Sequence, residues 1–246
     1  MLKSLSKITI LFFLAFQGLF ATSVNDGYVE YQKGNNQQAI EIFKKACENG
    51  SSSGCYNLGL LYYNGTEVEQ EYFKAAEAFA KACDDGHDKA CYNLAYMYQF
   101  GYGVRLDPKK ALVLYEKTCK AGIGASCYNI ANIYELGQGV EKDLFKSVDY
   151  LTKACTLAHS KACYNLAMKY KNEDGVEKDS SRAASFYNKA CDLGYSKACY
   201  NLGIMYVEGD YFVKNYVKAL ELFTKACDMN LQEACKAYDD LRGLVY

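Results

Sequence analysis

The chain has 246 residues, and its 28 basic and 29 acidic side chains give a formal net charge of −1. This balance argues against nucleic-acid or anionic-membrane binding as the main function, because both depend on a surplus of basic residues. The chain also has 12 cysteines, 24 tyrosines and a single proline. Such a composition leaves helices unbroken and supplies many side chains that are apolar at one end and hydrogen-bonding at the other.

Residues 1–21 have the pattern of a secretory signal peptide. Lys3 and Lys7 form a positive region, residues 8–16 are a nearly unbroken apolar run, and Ala21 is a small residue suited to precede a cleavage site. Leu19 stands where a small residue is more usual, so an uncleaved anchor is the alternative, although the run is short for a bilayer. We expect residues 22–246 to form a secreted or periplasmic protein, with no membrane segment, where disulfides persist.

The cysteines recur with a strict period. They form six pairs, each with seven intervening residues, and each pair follows the previous one by 36 residues: Cys47 and Cys55, Cys83 and Cys91, Cys119 and Cys127, Cys155 and Cys163, Cys191 and Cys199, Cys227 and Cys235. A fixed period of this size is typical of a solenoid, in which each repeat is buried against its neighbours. We therefore treat residues 22–246 as one repeat domain.

Each repeat carries two apolar patterns of helical period. The first follows the second cysteine and places Cys55, Leu58, Gly59 and Tyr62 on one face, which we expect to be buried. The second recurs as Ala75, Phe79 and Ala82; Ala111, Tyr115 and Thr118; Ala183, Tyr187 and Ala190; and Ala219, Phe223 and Ala226. Turns such as GYGVRLD and GQGVEKD separate the helices, because glycine supplies the backbone angles that end a helix. The sequence thus predicts an all-α superhelix of about thirteen helices, with six helical pairs and a carboxyl-terminal cap.

The period, the glycines and the Ala-Phe-Ala face make residues 24–246 resemble Sel1-like repeats, relatives of the tetratricopeptide repeats with a longer turn between the helices. With one C-x7-C pair per repeat and an export signal, the chain resembles the Helicobacter cysteine-rich proteins. The resemblance implies a right-handed α/α solenoid. It also implies an exported protein that binds penicillin-type compounds and acts as a slow β-lactamase, with further roles in binding cell-wall fragments, peptides or host partners.

Disulfide bonding is the role we predict for the cysteines. A spacing of seven and a total of two histidines do not suit zinc, and a catalytic thiol would not recur six times. The cysteine count alone does not fix the connectivity. However, Cys83 ends one helix and Cys91 begins the next after a short turn, whereas Cys55 and Cys83 would link the far ends of a helical pair. We therefore predict one disulfide within each C-x7-C pair, and neither a metal nor a cofactor.

The sequence contains no recognisable catalytic motif. Its one Ser-x-x-Lys, from Ser4 to Lys7, lies in the signal peptide, and the Ser-Asp-Asn and Lys-Thr-Gly motifs of serine β-lactamases are absent. Motifs of the His-x-His and His-Glu-x-x-His type are also absent. His87 and His159 occupy the same turn position two repeats apart, and we expect them to face solvent. β-Lactam hydrolysis is therefore an expectation from resemblance, with its catalytic residues unknown.

One asparagine recurs in the first helix of successive repeats. A helical wheel places this asparagine on the side of the helix opposite the apolar face. By analogy with tetratricopeptide repeats this side lines the concave surface, and the row consists of Asn57, Asn93, Asn129, Asn165 and Asn201. A side-chain amide both donates and accepts hydrogen bonds, as the backbone of an extended peptide requires. We predict a ligand groove along this row. The alternative is that each asparagine bonds to a neighbouring repeat or to the start of its helix.

Other residues of the same face complete the predicted groove. Three lysines at its rim are suited to hold a ligand carboxylate: Lys89, Lys161 and Lys197. Four further positions line it: Tyr96, Phe100, Asn132 and Met168. We predict that the groove binds a peptide, a cell-wall fragment or a β-lactam, since a β-lactam mimics a peptide that carries a carboxylate. The alternative function is a non-enzymatic secreted scaffold that contacts a protein or host partner.

Overall fold

The computed structural model describes residues 24–65 and 71–245, so the predicted signal peptide lies outside the described residues. Every regular element in these ranges is a helix. The thirteen helices are α1 (24–32), α2 (Asn36–Glu48), α3 (Ser52–Asn64), α4 (Tyr72–Asp84), α5 (Asp88–Phe100), α6 (Pro108–Lys120), α7 (Gly124–Leu136), α8 (Leu144–Thr156), α9 (Ser160–Asn172), α10 (Ser180–Asp192), α11 (Ser196–Glu208), α12 (Tyr216–Asp228) and α13 (Gln232–Val245). The predicted all-α repeat fold is confirmed.

Local sequence fixes where the helices begin and end. The second helix of several repeats starts after a side-chain cap, which satisfies a backbone N–H that has no partner within the helix. These caps accept from the amide three residues on at 2.9–3.0 Å and are Asp107, Asp143, Asp179 and Asn215. At the other end, α5 and α7 stop at Gly101 and Gly137, whose φ values of 75° and 68° favour glycine.

The chain divides into two compact units, one ending at Leu114 and the other beginning at Tyr115. The core of the first unit contains Phe43 and Phe79, and that of the second contains Leu151 and Tyr187. The predicted apolar faces of the second helices are confirmed, because the alanine and aromatic positions of all four patterns are buried. In α13, Leu241 packs with Ala219 and Phe223 of α12, as a capping helix should.

Small residues on the first helices allow close approach of the second helices. A Cβ built on Gly59 would lie 2.6 Å from the ring of Phe79, and one built on Gly203 would lie 2.6 Å from the ring of Phe223. Both glycines therefore make room for a phenylalanine of the following helix. The other repeats have alanine at this register, Ala95, Ala131 and Ala167.

Six disulfides connect the end of one helix to the start of the next. They are Cys47–Cys55, Cys83–Cys91, Cys119–Cys127, Cys155–Cys163, Cys191–Cys199 and Cys227–Cys235. Their Cα atoms are 4.4–5.0 Å apart, within the range that a disulfide spans without backbone movement. One disulfide therefore accompanies each repeat, as predicted. Among the described residues, no helix has the length and apolarity needed to cross a membrane.

Candidate functional site

Four of the repeated asparagines, Asn57, Asn93, Asn165 and Asn201, bond to tyrosines of the preceding repeat. The Asn165 amide donates to the Tyr128 hydroxyl at 3.4 Å, and the Asn201 amide donates to the Tyr164 hydroxyl at the same distance. Each of these tyrosines directly follows the second cysteine of its own repeat. The bonds to a neighbouring repeat, which the sequence left as an alternative, are therefore present at these positions. The Asn201 amide also donates to the Tyr187 hydroxyl at 3.4 Å, so its donors are used and its oxygen is the group left for a ligand. The bond from Asn165 to Tyr128 leaves Asn165 both a donor and acceptor sites.

Asn57 is the position at which the helical wheel misleads. The wheel places it on the open side of α3, but its side chain is buried, with 4% of the residue exposed. Its Oδ1 accepts a hydrogen bond of 2.9 Å from the hydroxyl of Tyr28, which belongs to α1. A wheel drawn for one helix has no information about a neighbour that covers it. The equivalent Asn93, Asn129, Asn165 and Asn201, together with Asn132, are partly exposed.

An aromatic pocket of about 240 Å³ lies between α3 and α5 in the first unit. Its lining brings together Leu60, Tyr63, Asn64, Tyr92, Asn93 and Tyr96. The ring of Phe100 packs against that of Tyr96 with centroids 4.6 Å apart and is itself exposed. Burial raises the pKa of Tyr63 and of Tyr96, so both phenols remain neutral hydrogen-bonding groups at physiological pH. Two predicted groove residues, Asn93 and Tyr96, thus share one apolar pocket.

A second cavity, of about 340 Å³ and more polar, lies in the second unit. It contains the predicted residues Asn165 and Met168. Sequence reasoning missed its charged residues, Glu135, Lys169 and Asp174. The signal that would have revealed them is a lysine at a register where other repeats carry Leu61, Met97, Ile133 and Met205.

The predicted rim lysines have separate environments. Lys89 lines a cavity of about 500 Å³ with Asn57 and His87 in the first unit. The ammonium of Lys161 lies 5.4 Å from the ring centroid of Tyr128, within the range of a cation–π interaction. Lys197 is exposed. All three lysines belong to the first turns of asparagine-bearing helices.

Both histidines are helix caps and are half-buried, so they face solvent only in part. His87 Nδ1 accepts from the backbone N–H of Ala90 at 3.2 Å, and its ring stacks on Tyr56 with centroids 4.4 Å apart. His159 makes the same contacts two repeats further along: it accepts from the backbone N–H of Ala162 at 3.2 Å and stacks on Tyr128 with centroids 4.7 Å apart. The imidazoles therefore fix the starts of α5 and α9 and bury part of their rings against the preceding repeat.

Because the caps need a neutral imidazole, we expect stability to fall in mild acid. Burial lowers the pKa of both histidines below the ordinary 6.5, and Lys89 and Lys161 act in the same direction. As the pH is lowered, the histidines of the unfolded chain are therefore protonated before those of the folded protein. The stabilisation by the two caps is complete above pH 6.5 and is lost as the pH falls through the folded-state pKa. The loss should reach about 1 kcal/mol per cap.

Urea unfolding at pH values on either side of this window measures that loss. The matched control is the double variant His87→Asn and His159→Asn, since asparagine caps a helix without titrating near neutral pH. The variant should lose less stability than the wild type when the pH is lowered. Equal losses in the two proteins would contradict the role of the imidazoles.

The fold and its cross-repeat bonds define a class of protein, an α-solenoid of helical pairs with a disulfide at every junction. The Sel1 repeat family matches residues 25–51, 52–87, 88–123, 124–159, 160–195 and 196–231, and the chain belongs to this family. The first five disulfides join consecutive repeats defined by these boundaries, as Cys83 and Cys91 do. The sixth joins the last repeat to α13.

The resemblance to the Helicobacter cysteine-rich proteins is confirmed by a curated relative. The chain is 39% identical over 77 residues to Helicobacter pylori HcpC, which is named as a candidate beta-lactamase. That match covers 29% of this chain and 27% of HcpC. Among solved structures, a protective antigen of uropathogenic Escherichia coli is 26% identical with a TM-score of 0.81, over 92% of this chain and 50% of that one. A Sel1 repeat protein from Oxalobacter formigenes is 26% identical with a TM-score of 0.77, over 87% of each chain.

Proposed function

We propose that this protein is an exported binding protein that holds extended, peptide-like ligands against its asparagine-bearing helices. The observation that supports the proposal best is the aromatic pocket of the first unit, where two amides, Asn64 and Asn93, open into an apolar space of about 240 Å³. Binding sites of small ligands are typically concave and mostly apolar, with a few polar groups that orient the ligand. This pocket has that composition.

The chemistry of the lining fits a peptide group next to an apolar side chain. The amide of Asn93 is able to accept from a ligand N–H and to donate to a ligand C=O. The rings of Tyr63 and Tyr96 offer apolar area at a low cost in side-chain entropy, because each has two rotatable bonds. A β-lactam carries an amide and a carboxylate on a compact apolar body, so it belongs to the same ligand class.

Export is part of the proposal and is supported by the cysteines. All twelve are in disulfides, and disulfides persist in oxidising compartments such as the periplasm or the extracellular space. The signal-peptide pattern of residues 1–21 points to the same compartment. Fractionation of cells that express the full chain tests this directly, because cytoplasmic protein with free thiols would contradict it.

We expect Asn93→Ala to weaken ligand binding by about tenfold or more, the cost of leaving polar groups of the ligand unpaired. The probes are benzylpenicillin and an extended peptide selected on the wild-type protein, with affinities measured by calorimetry. The matched control is Tyr56→Phe, because the Tyr56 hydroxyl is hydrogen-bonded to the Asn93 side chain. This control removes the bond between repeats and keeps the amide, so it should retain binding. Equal affinities of wild type and Asn93→Ala would refute the pocket as the ligand site.

Slow β-lactam hydrolysis is the second candidate, and the name of the relative HcpC favours it. One serine of the second unit does have acid and base neighbours, since Ser147 bonds to Glu135, which pairs with Lys169. Ser147 is completely buried, however, so it has no access to a substrate carbonyl. Hydrolysis would therefore require a water activated in a polar cavity. Ring opening followed spectroscopically during the same titration separates the candidates: binding without turnover selects the scaffold, and turnover above buffer selects the hydrolase.

A further inference from the structure

Lys169 is a charged residue at a register that is otherwise apolar. The equivalent positions in other repeats are Leu61, Met97, Ile133 and Met205, and all of them are buried. The side chain of Lys169 is only 5% exposed. A buried ammonium costs considerable free energy unless it is paired, and packing at this register is satisfied by leucine, isoleucine or methionine. The repeat fold therefore does not require a lysine here.

Two carboxylates accept the buried ammonium. The Nζ atom of Lys169 lies 3.2 Å from Oε1 of Glu135 and 2.8 Å from Oδ2 of Asp174. The two acids are far more open than the lysine, with side chains 36% and 45% exposed. The hydroxyl of Ser147 donates to Oε2 of Glu135 at 3.2 Å and so orients that carboxylate. The lysine thus forms the floor of the site, and the two carboxylates form its exposed edge.

The cavity at this edge has the charge and the polar groups for a cationic ligand. Lys169, Glu135 and Asp174 together carry one net negative charge. The cavity of about 340 Å³ is also lined by the amides of Asn165 and Asn172. Each carboxylate oxygen has two acceptor sites, so the bonds to Lys169 leave capacity for a second donor. Hydrogen bonds between an ammonium and a carboxylate are among the strongest that proteins form.

We propose that this cavity binds a primary ammonium group of a peptide-like ligand, which contacts Glu135 and Asp174 while the amides of Asn165 and Asn172 bond to the adjoining peptide group. Lys169 is the positioning residue that holds the two carboxylates in place. The proposal rests on the proposed function and adds to it a chemical preference in the second unit. The ammonium has two possible sources, a lysine-type side chain or a free amino terminus.

Heteronuclear NMR titrations of the full mature chain with small probes test this proposal. The probes are Nα-acetyl-lysine N-methylamide, alanine N-methylamide and, as the matched control without an ammonium, Nα-acetyl-norleucine N-methylamide. We expect at least one of the two amines to shift the backbone resonances of α9 with about tenfold higher affinity than norleucine, the value of one charge-assisted hydrogen bond. A lysine preference identifies a side chain as the source, and an alanine preference identifies an amino terminus. Equal affinities for all three probes, or shifts outside this cavity, would overturn the proposal.

Variants that replace a carboxylate by its uncharged amide test which residues bind the amine. Asp174→Asn and Glu135→Gln should each lower the affinity for the preferred amine about tenfold, with helix content monitored by circular dichroism. Glu173→Gln is the matched control, because Glu173 is adjacent, acidic and exposed but does not line the cavity. If all three variants bind the amine equally, the carboxylates are structural only. The Asn93→Ala titration probes the other unit, so failure of the peptide-binding proposal is distinguishable from failure of this one.

Discussion

Reduction of the six disulfides is expected to unfold most of this protein at room temperature. Each disulfide closes a loop with a sequence separation of 8, which in the chain-entropy model stabilises by about 2.5 kcal/mol. Six such loops together contribute about 15 kcal/mol, as much as the whole stability of a typical domain. Far-UV circular dichroism with and without a phosphine reductant measures the effect. Full helicity and an unchanged urea midpoint after verified reduction would contradict it.

Removal of one disulfide shows whether the loss of stability is confined to the repeats that it joins. The double variant Cys155→Ala and Cys163→Ala should lose at least about 2.5 kcal/mol, since both sulfurs are buried as well as bonded. In a solenoid each repeat contacts only its neighbours, so hydrogen exchange should rise mainly in α8 and α9. Loss of Cys227 and Cys235 should instead free the capping helix α13. Uniform exchange changes in both variants would show that the repeats unfold together.

The sequence was sufficient to predict the elements that depend on local periodicity. The 36-residue period and the helical spacing predicted thirteen helices, their buried faces and one disulfide per repeat, because these features follow from residues close together in the chain. Gly101 and Gly137 ended helices as expected, for the same reason. These turns require a positive φ, which favours glycine, so they are recognisable from a single sequence. Tyr62 is the exception, since the sequence placed it on a buried face and it is only half-buried.

Contacts between repeats were harder to predict, because they join residues about 30 positions apart. His87 caps α5 and stacks on Tyr56, a pairing that no single helical wheel contains. Asn57 is buried for the same reason, since Tyr28 of another helix bonds to it. Lys169 was visible in the sequence as an exception to an apolar register. Its partner Asp174 is only five residues away, in the turn after α9, whereas Glu135 belongs to another repeat and is brought near by helix packing.

Lys169→Met is expected to leave the free energy of unfolding unchanged or to raise it by about 1 kcal/mol. Replacing a buried ion pair by a well-packed apolar side chain is often neutral or stabilising, and methionine already occupies this register at Met97 and Met205. The released carboxylates are partly exposed, so water can solvate them. The double variant Glu135→Ala and Asp174→Ala should instead lose about 3 kcal/mol, because the ammonium remains buried without a partner. Urea unfolding measures both.

The triple variant completes this comparison. It tests whether Lys169 is required for folding or serves ligand binding. Adding Lys169→Met to the double variant should restore most of the lost stability, since no unpaired buried charge remains, and the non-additivity measures the coupling between the three side chains. A stable Lys169→Met protein that no longer discriminates amines from norleucine would mean that the lysine serves ligand binding at no benefit to folding. If Lys169→Met alone loses about 3 kcal/mol, the ion pairs are required by the fold, and the argument that this register needs no charge fails.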